Sequence, residues 1–245
     1  MYEDLDRPPL RARALARALA PDGWRVEVLA RTGSTNAVVA ERARQGEAPG
    51  LVVVAEHQTA GRGRQDRTWV SPPRAGLTVS VLLAPPDPVT WLPLWGGLAV
   101  ARALRDQTGV DAVLKWPNDV LVGGRKLGGL LAEVAGDRVV LGLGLNVTTR
   151  PAELPGPGAT SLLLEKATTT DRDTVLRAVL RTLSELLAEP SRAGYRALCS
   201  TLGRQVRLEL PGGATAEGEA EEVDDLGRLV VAGVAYAAGD VVHLR

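Results

Sequence analysis

The pattern of apolar residues changes at Leu202, and this change constrains the fold more than any other feature of the sequence. Before Leu202, short apolar or alternating runs are mixed with runs that repeat every three to four residues, which predicts strands interspersed with helices. After it, only short alternating segments remain, separated by the turn sequences Pro211-Gly212-Gly213 and Asp225-Leu226-Gly227. We therefore predict a larger domain over residues 1–200 and a small β domain over residues 201–245.

The apolar spacing predicts an α+β fold, with a mixed β-sheet and flanking helices on one side of it. Helices are predicted over residues 9–20, 37–45, 91–107, 171–188 and 192–199. Strands are predicted over residues 24–30, 51–55, 77–83, 112–116, 120–122, 126–134 and 138–145. The small domain is predicted to be a β-barrel of four or five strands, with segments at 205–210, 214–223, 228–231 and 241–244.

Composition excludes several classes of function. The 29 basic residues equal the 29 acidic ones, whereas a protein that coats nucleic acid carries a basic excess. The single cysteine, Cys199, rules out a disulfide within the chain. The acidic N-terminal residues do not form a secretory signal, and the apolar stretch from Trp91 to Leu104 is interrupted by Pro93 and too short to cross a bilayer. These features predict a cytoplasmic protein that acts at neither DNA nor membranes.

A long Gly- and Arg-rich segment, residues 57–74, separates two predicted buried strands, and a loop of this length is typical of a functional site. Gly61 and Gly63 allow the backbone to approach a ligand closely, and Trp69 offers a flat face for a ring. Its arginines, Arg62, Arg64 and Arg67, offer bidentate donors for phosphate or carboxylate. The alternative is a solvated loop without a ligand. A P-loop is excluded, because the sequence Gly-x4-Gly-Lys-Ser/Thr is absent.

A second polar segment, Lys115-Trp116-Pro117-Asn118-Asp119, follows a predicted strand. Lys115 beside a tryptophan can supply a fixed positive charge to a phosphoryl transition state, and the oxygens of Asn118 and Asp119 suit Mg²⁺. The alternative is a β-turn with a solvated lysine. Only three of the 29 basic residues are lysines, and two of them, Lys115 and Lys126, lie close together. A lysine retained in an arginine-rich chain suggests a position that needs an ammonium group.

Taken together in this order, these motifs closely resemble the catalytic and C-terminal domains of biotin–protein ligases, over nearly the whole chain. The matching segments are Ser34-Thr35-Asn36, Glu56 to Arg64 with Arg67 and Trp69, Lys115 to Asp119, Arg125 to Leu131, and Gly142 to Asn146. The resemblance implies a sheet and helices like those of class II synthetases, followed by an SH3-like barrel. It further implies that biotin reacts with ATP and Mg²⁺ to give biotinyl-5′-AMP, and that biotin then passes to a lysine of biotin carboxyl carrier protein.

The resemblance also implies roles for single residues. The residues expected to contact biotin are Ser34, Thr35, Asn36, Gln58, Gly61, Arg62, Lys115, Gly128 and Gly129. The residues expected to contact ATP are Arg64, Arg67, Trp69, Lys115, Asn118 and Asn146. Lys115, with Arg62 and Arg64, is expected to be catalytic, and Asp119 is a candidate metal ligand. Asp66 departs from the family's pattern, in which small residues are often seen at this position, and it is expected to pair with Arg64 or Arg67 and to change closure of the loop.

Three alternatives remain open at this point. The first is a lipoate or octanoate ligase on the same catalytic fold, which the arginine loop and the C-terminal β domain disfavour. The second is a non-catalytic biotin-sensing regulator, and the third is a docking module for carrier proteins. Residues 1–23 precede the first predicted strand and are too few for a helix-turn-helix DNA-binding domain. A homodimer through the sheet edge is possible, since it occurs in relatives, but no residue here decides it.

Overall fold

Two β-sheets organise the chain, which we describe from a computed structural model covering residues 6–65 and 67–244. The helices are α1 (Ala12–Leu19), α2 (Thr35–Arg44), α3 (Leu92–Thr108), α4 (Arg172–Ala188) and α5 (Arg192–Leu198). The strands of the first part are β1 (Arg25–Leu29), β2 (Leu51–Ala55), β3 (Gly61–Arg62), β4 (Thr68–Trp69), β5 (Gly76–Leu83), β6 (Ala112–Lys115), β7 (Asp119–Val122), β8 (Arg125–Ala135) and β9 (Arg138–Asn146). The remaining strands are β10 (Gln205–Glu209), β11 (Thr215–Val223), β12 (Leu229–Val231), β13 (Val234–Tyr236) and β14 (Asp240–His243).

The larger sheet has seven strands in the order β1-β2-β5-β9-β8-β7-β6. β1 and β2 are parallel, and every other neighbouring pair is antiparallel, so the sheet is mixed as predicted. β5 lies inside the sheet with all eight residues buried, which matches its mainly apolar sequence. All seven strands were predicted from the sequence, and no end of an observed strand differs from its predicted position by more than one residue.

Helices cover both faces of this sheet, whereas the sequence analysis expected them on one side. Val52 and Val54 of β2 face the main core, to which α3 and α4 contribute apolar side chains. Leu51 and Val53 alternate with them and pack with Val39 of α2 in a second cluster on the other face. α2 therefore lies on the face opposite α3 and α4, and its N-terminus points at the region described below.

The C-terminal sheet has five antiparallel strands in the order β13-β12-β11-β10-β14. β13 has only three residues and was not predicted. Between β12 and β13, Ala232 and Gly233 both have positive φ, which gives a tight hairpin. Among residues 6–65 and 67–244 no pairing joins β13 to β14, so closure of this sheet into a barrel stays a prediction.

The two sheets are joined through buried tryptophans. The indole of Trp116 donates to the carbonyl of Gly227 at 3.1 Å, and that of Trp91 donates to the carbonyl of Asp225 at 3.0 Å. The backbone of Cys199 also forms an isolated parallel β-bridge with Leu114 of β6, at the edge of the larger sheet. These contacts fix the C-terminal sheet beside β6 and β7. In the part of the chain that the structure describes, no helix has the length and apolarity needed to span a membrane.

Candidate functional site

A cavity of about 190 Å³ lies between the larger sheet and a short hairpin formed by β3 and β4. We call it the hairpin cavity. Its walls include the N-terminus of α2, the middle of β8 and β9, and the arginine segment. The residues that line it are Ser34, Thr35, Asn36, Gln58, Arg62, Gly63, Arg64, Arg67, Thr68, Trp69, Val79, Asn118, Lys126, Gly129, Leu130, Leu131, Gly142, Leu143, Gly144 and Pro155.

The Gly- and Arg-rich segment forms the hairpin rather than an open loop. Gly61 pairs with Trp69 and Arg62 with Thr68 across β3 and β4. A Cβ atom at Gly61 would lie 2.4 Å from the carbonyl oxygen of Trp69, so only glycine fits there. The indole of Trp69 lies directly on Gly144 of β9, where an added Cβ would approach the ring to 2.4 Å. The hairpin thus covers the sheet and closes one side of the cavity.

The wall formed by the sheet and α2 holds a continuous polar network. The side-chain oxygen of Gln58 accepts hydrogen bonds from the backbone N–H of Thr35 at 2.7 Å and from its hydroxyl at 2.9 Å. Gln58 therefore caps the first turn of α2, because the side chain of Ser34 at the N-cap makes no capping bond. The buried Ser80 hydroxyl lies 2.7 Å from the hydroxyl of Thr35 and 2.6 Å from Oδ1 of Asn36, and Asn36 donates to Glu133.

The arginines of the hairpin, on the other side of the cavity, are held by ionic and polar contacts. Arg64 donates to Asn118 Oδ1 at 3.1 Å and to the carbonyl of Gly239 at 3.2 Å, and it lies 3.6 Å from Asp240. Arg67 pairs with Asp240 at 2.8 Å. Burial lowers the pKa of Arg64 from its ordinary value, and that effect exceeds the opposing one of Asp240. The C-terminal domain thus contributes directly to the position of the arginine segment.

Lys126 is the lysine that lines this cavity, and Lys115 is not. Lys126 Nζ lies 2.6 Å from Asp119 Oδ1 and beside Gly129. Lys115 lies opposite Asp119 on β6, the edge strand, and faces a separate cleft. We call this second space the β6–β14 cleft, because Lys115, Arg204 and His243 line it, together with Asp119 and Lys126. The structure therefore does not bring Lys115 to the cavity walls, where the sequence analysis expected it.

Most of the other predicted site residues do meet at the cavity. Those that line it are Ser34, Thr35, Asn36, Gln58, Arg62, Arg64, Arg67, Trp69, Asn118 and Gly129. Gly61 belongs to the hairpin but does not line the cavity, and Gly128 is buried in β8, where a Cβ would lie 2.7 Å from the carbonyl oxygen of Gly144. Asn146 does not line the cavity: it is buried, and its amide donates to the carbonyl of Thr160 at 3.0 Å.

Asp119 lines the β6–β14 cleft and not the hairpin cavity, and its carboxylate pairs with Lys126. It is therefore not placed to bind a metal ion in the hairpin cavity. No carboxylate lines the hairpin cavity in the described residues, and no group of three His, Cys, Asp or Glu side chains that could hold a metal occurs there either. The described residues therefore do not fit a protein-held magnesium ion at this site. Asp66 lies outside the described residues.

Several contributors to the site were not predicted from the sequence. Ser80 is one of two buried polar residues in an otherwise apolar strand, and such a residue is a signal of a buried polar network. Lys126 belongs to a quoted motif but had no assigned role, although its type is rare in this chain. Gly142 and Gly144 were part of a quoted motif too, and the structure shows Asn36 and Trp69 packed on them.

Comparisons with known proteins agree on one family. The model of the biotin/lipoate A/B protein ligase family matches residues 28–147, and that of the biotin protein ligase C-terminal domain matches residues 201–244. A biotin–[acetyl-CoA-carboxylase] ligase of Mycobacterium tuberculosis is 47% identical over 98% of this chain and 97% of its own length. The bifunctional ligase/repressor of Escherichia coli is 32% identical over 86% of this chain and 70% of its own length.

Among solved structures, the biotin protein ligase of Aquifex aeolicus in complex with biotin and ATP superposes with a TM-score of 0.77. It is 30% identical and covers 90% of this chain and 98% of its own. The biotin protein ligase of Leishmania major in complex with biotinyl-5-AMP has a TM-score of 0.65 at 27% identity, with 90% of this chain and 98% of its own covered. These similarities extend over both sheets.

Proposed function

The chain belongs to the biotin–protein ligase family, and we propose that the hairpin cavity is where it joins the carboxylate of biotin to the α-phosphate of ATP. The enzyme is an ATP-dependent ligase that acts on biotin. The observation that carries the assignment of the site is the meeting, in one cavity, of a neutral polar wall with three arginines and one lysine. Such a wall suits the uncharged ring of biotin, and the cations suit its carboxylate and the phosphates.

The ureido ring of biotin offers one carbonyl oxygen and two N–H groups. Ser34, Thr35 and Gln58 supply hydroxyl and amide groups that both donate and accept, and the network through Ser80 fixes the orientation of Thr35 and Gln58. The indole of Trp69 stands in the same cavity and offers an apolar face to the ring system of biotin. This position favours biotin over adenine as the group that Trp69 covers.

Lys126 takes the role that the resemblance had suggested for Lys115. It lies on β8, two strands beyond Ser80 across the sheet, so a ligand bound at Thr35 and Gln58 extends its chain toward Lys126. The ammonium is then next to both the carboxylate nucleophile and the α-phosphate. Asp119 holds it in place through the 2.6 Å contact. The lysine stabilises charge that grows in the transition state.

Arg62, Arg64 and Arg67 are proposed to turn toward the phosphates as ATP binds. Their present partners, Glu133, Asn118 and Asp240, are contacts that phosphate oxygens can replace. Magnesium enters on the triphosphate as part of the substrate, since the described residues offer it no site of their own. Closure of the hairpin keeps water from the mixed anhydride.

In the second half-reaction, the amine of a lysine of a biotin carboxyl carrier protein attacks the acyl carbon of biotinyl-5′-AMP. An amide bond forms, the bond from the acyl carbon to the phosphate oxygen breaks, AMP leaves, and the amine loses a proton. The name of the M. tuberculosis relative supports an acetyl-CoA carboxylase subunit as the acceptor.

The test is exchange of labelled pyrophosphate into ATP, without carrier protein, in the presence of biotin or of lipoate. We expect exchange with biotin and none with lipoate. Exchange with lipoate alone would move the protein to the lipoate ligases, and absence of exchange with either ligand would contradict an enzymatic role for the site.

A further inference from the structure

Glu133 is a carboxylate beside the hairpin cavity whose only role in the function proposed above is to hold Arg62 before ATP binds. It lies on β8, two residues beyond Leu131, which lines the cavity. Glu133 itself lines two spaces that adjoin the cavity, a cleft of about 380 Å³ and a groove of about 330 Å³. Both spaces share Arg64 and Leu131 with the cavity. The carboxylate therefore stands where the cavity meets the outer surface.

Two donors hold this carboxylate. Asn36 of α2 donates to its Oε2 at 2.5 Å, and Nη2 of Arg62 lies 3.1 Å from Oε1 and 3.2 Å from Oε2. Asn36 is buried, and its own oxygen is bonded to the hydroxyl of Ser80, whereas about half of the Arg62 side chain is exposed. Asn36 therefore fixes the carboxylate, and Arg62 is the partner that can leave.

The second half-reaction brings a cation to a site that is lined by cations. A free lysine side chain has a pKa of about 10.4, so the acceptor lysine arrives as an ammonium. Three arginines and Lys126 line the hairpin cavity, and in the described residues no carboxylate does. This field opposes the approach of an ammonium. Transfer therefore needs an anionic group near the mouth of the cavity.

Three carboxylates of the described residues contact the cations of the cavity, namely Asp119, Asp240 and Glu133. Asp119 pairs with the lysine that the proposed reaction uses, and Asp240 lies close to two arginines at once. Glu133 has Arg62 as its one cationic partner in the part of the chain that the structure describes. It is therefore the carboxylate that the movement of a single side chain makes accessible to a new cation.

In the function proposed above, Arg62 turns toward phosphate as ATP binds, so formation of the adenylate takes this cation away from Glu133. Asn36 still holds the carboxylate in place. A buried hydrogen bond thus keeps an uncompensated negative charge oriented beside the cavity, at the stage when the acceptor lysine has to enter.

We infer that Glu133 binds the amino group of the acceptor lysine, and that Arg62 blocks this contact until the adenylate has formed. The inference rests on the function proposed above. The ammonium gives one proton to water, the amine nitrogen bonds to the acyl carbon and sheds a second proton, and AMP leaves with the electron pair of the broken bond. Positive charge grows on the nitrogen as the new bond forms, and the carboxylate of Glu133 stabilises it.

The first experiment compares the two half-reactions in Glu133→Gln, which keeps the shape and an acceptor for Asn36 but removes the charge. Labelled biotinyl-adenylate is formed on the enzyme, excess ATP is removed, and an apo biotin carboxyl carrier domain is added. We expect the rate of transfer to fall about 10–100-fold more than the rate of adenylate formation, as for loss of one charge-assisted contact. Transfer to hydroxylamine, which is neutral near pH 7, should fall far less than transfer to the carrier domain.

Glu27→Gln is the matched control. Glu27 is a partly buried glutamate of the same sheet that also pairs with an arginine, Arg42 at 3.4 Å, and it lines none of the three spaces. Both of its half-reactions should stay within a factor of two or so of the wild type. Glu133→Asp, which keeps the charge on a shorter side chain, is expected to recover part of the transfer rate.

The outcomes separate the two proposals. If the wild type forms no adenylate, or forms it and does not pass biotin to the carrier domain, the function proposed above fails. If the wild type does both, and Glu133→Gln slows both half-reactions equally, then Glu133 only supports the walls of the cavity and the inference is overturned. Equal losses with the carrier domain and with hydroxylamine would overturn it too.

The second experiment tests the exchange between Arg62 and the acceptor lysine. Calorimetry measures binding of the carrier domain, and of a variant with methionine in place of its acceptor lysine, to the empty enzyme and to the enzyme filled with a non-reactive analogue of biotinyl-adenylate. We expect the lysine to add about tenfold in affinity for the filled enzyme, little for the empty one, and little for filled Glu133→Gln. An equal contribution of the lysine in the empty and filled enzymes would overturn the exchange.

Discussion

The two walls of the hairpin cavity are built differently. The wall formed by the sheet and α2, the sheet wall, is held by buried hydrogen bonds among Gln58, Thr35 and Ser80. The wall formed by the hairpin, the loop wall, is held by arginine contacts to Asn118 and Asp240. Groups on the sheet wall are oriented before any ligand arrives, whereas the contacts of the loop wall are of the kind that phosphates replace.

This difference explains how one cavity can bind two different substrates. A buried polar network recognises a ligand strongly because an unmatched group in it is costly. The ion pairs of Arg62 and Arg67 have exposed guanidinium groups and contribute little to stability, so exchanging them for phosphate contacts costs little. We therefore expect the sheet wall to determine the choice and reactivity of biotin, and the loop wall to adjust the affinity for ATP.

The largest effect expected on the sheet wall is that of Lys126→Met. Without the ammonium, the transition state of adenylate formation loses a fixed charge, and we expect kcat/KM for biotinyl-adenylate formation to fall about 10²–10³-fold. Single-turnover formation of labelled biotinyl-adenylate measures it. Lys166→Met, which removes the same charge from an exposed site, should leave the rate within a factor of two or so.

A near-normal rate for Lys126→Met would contradict a catalytic role for the sheet wall. In that case the comparison between the walls would hold for binding only.

The position of Lys126, and not Lys115, at the cavity illustrates what the sequence could and could not predict. The motifs predicted that residues 34–36, 58, 62, 64, 67, 69 and 118 would meet, and they line one cavity. They did not predict which lysine faces it. Side chains alternate between the faces of a strand, and a register shift between β7 and β8 at Val120 and Leu121 changes which residues of β8 turn inward.

Other differences have equally local causes. Asn146 ends β9, and the sequence cannot say whether it faces a ligand or the backbone of a distant loop. In the folded chain the side-chain amide of Asn146 donates a hydrogen bond to the carbonyl of Thr160. The hairpin of β3 and β4 and the strand β13 are too short for periodicity to predict, since two or three residues do not establish an alternation. Long, strongly patterned elements such as α4 were predicted to within one residue.

A smaller effect is expected for Gln58→Ala, which breaks the network of the sheet wall without touching a charge. We expect the KM for biotin to rise roughly 10–100-fold, since about 1–3 kcal/mol is lost when a buried polar partner goes unmatched. The KM for ATP should stay the same. Stability should fall by about 1 kcal/mol, because the first turn of α2 loses its acceptor.

Gln45→Ala is the matched control for that change. Gln45 is an exposed glutamine at the end of the same helix that bonds to Glu41, so its loss tests the substitution without the cavity. Equal increases in the KM values for biotin and ATP in Gln58→Ala would contradict the claim that the sheet wall acts on biotin and the loop wall on ATP.

The smallest effect is expected on the loop wall, from Asp240→Asn. The carboxylate of Asp240 holds Arg67 at 2.8 Å and lies 3.6 Å from Arg64, so it competes with phosphate for both. An asparagine keeps the shape and removes the charge. We expect the KM for ATP to fall about two- to fivefold, the range of a partly exposed ion pair, with the KM for biotin unchanged. Steady-state exchange at varied ATP and low salt measures it, with Asp137→Asn, a surface pair with Arg138, as control. A rise in the KM for ATP would mean that Asp240 orders the arginines for the nucleotide instead of competing with it, and the loop wall would then be as preformed as the sheet wall.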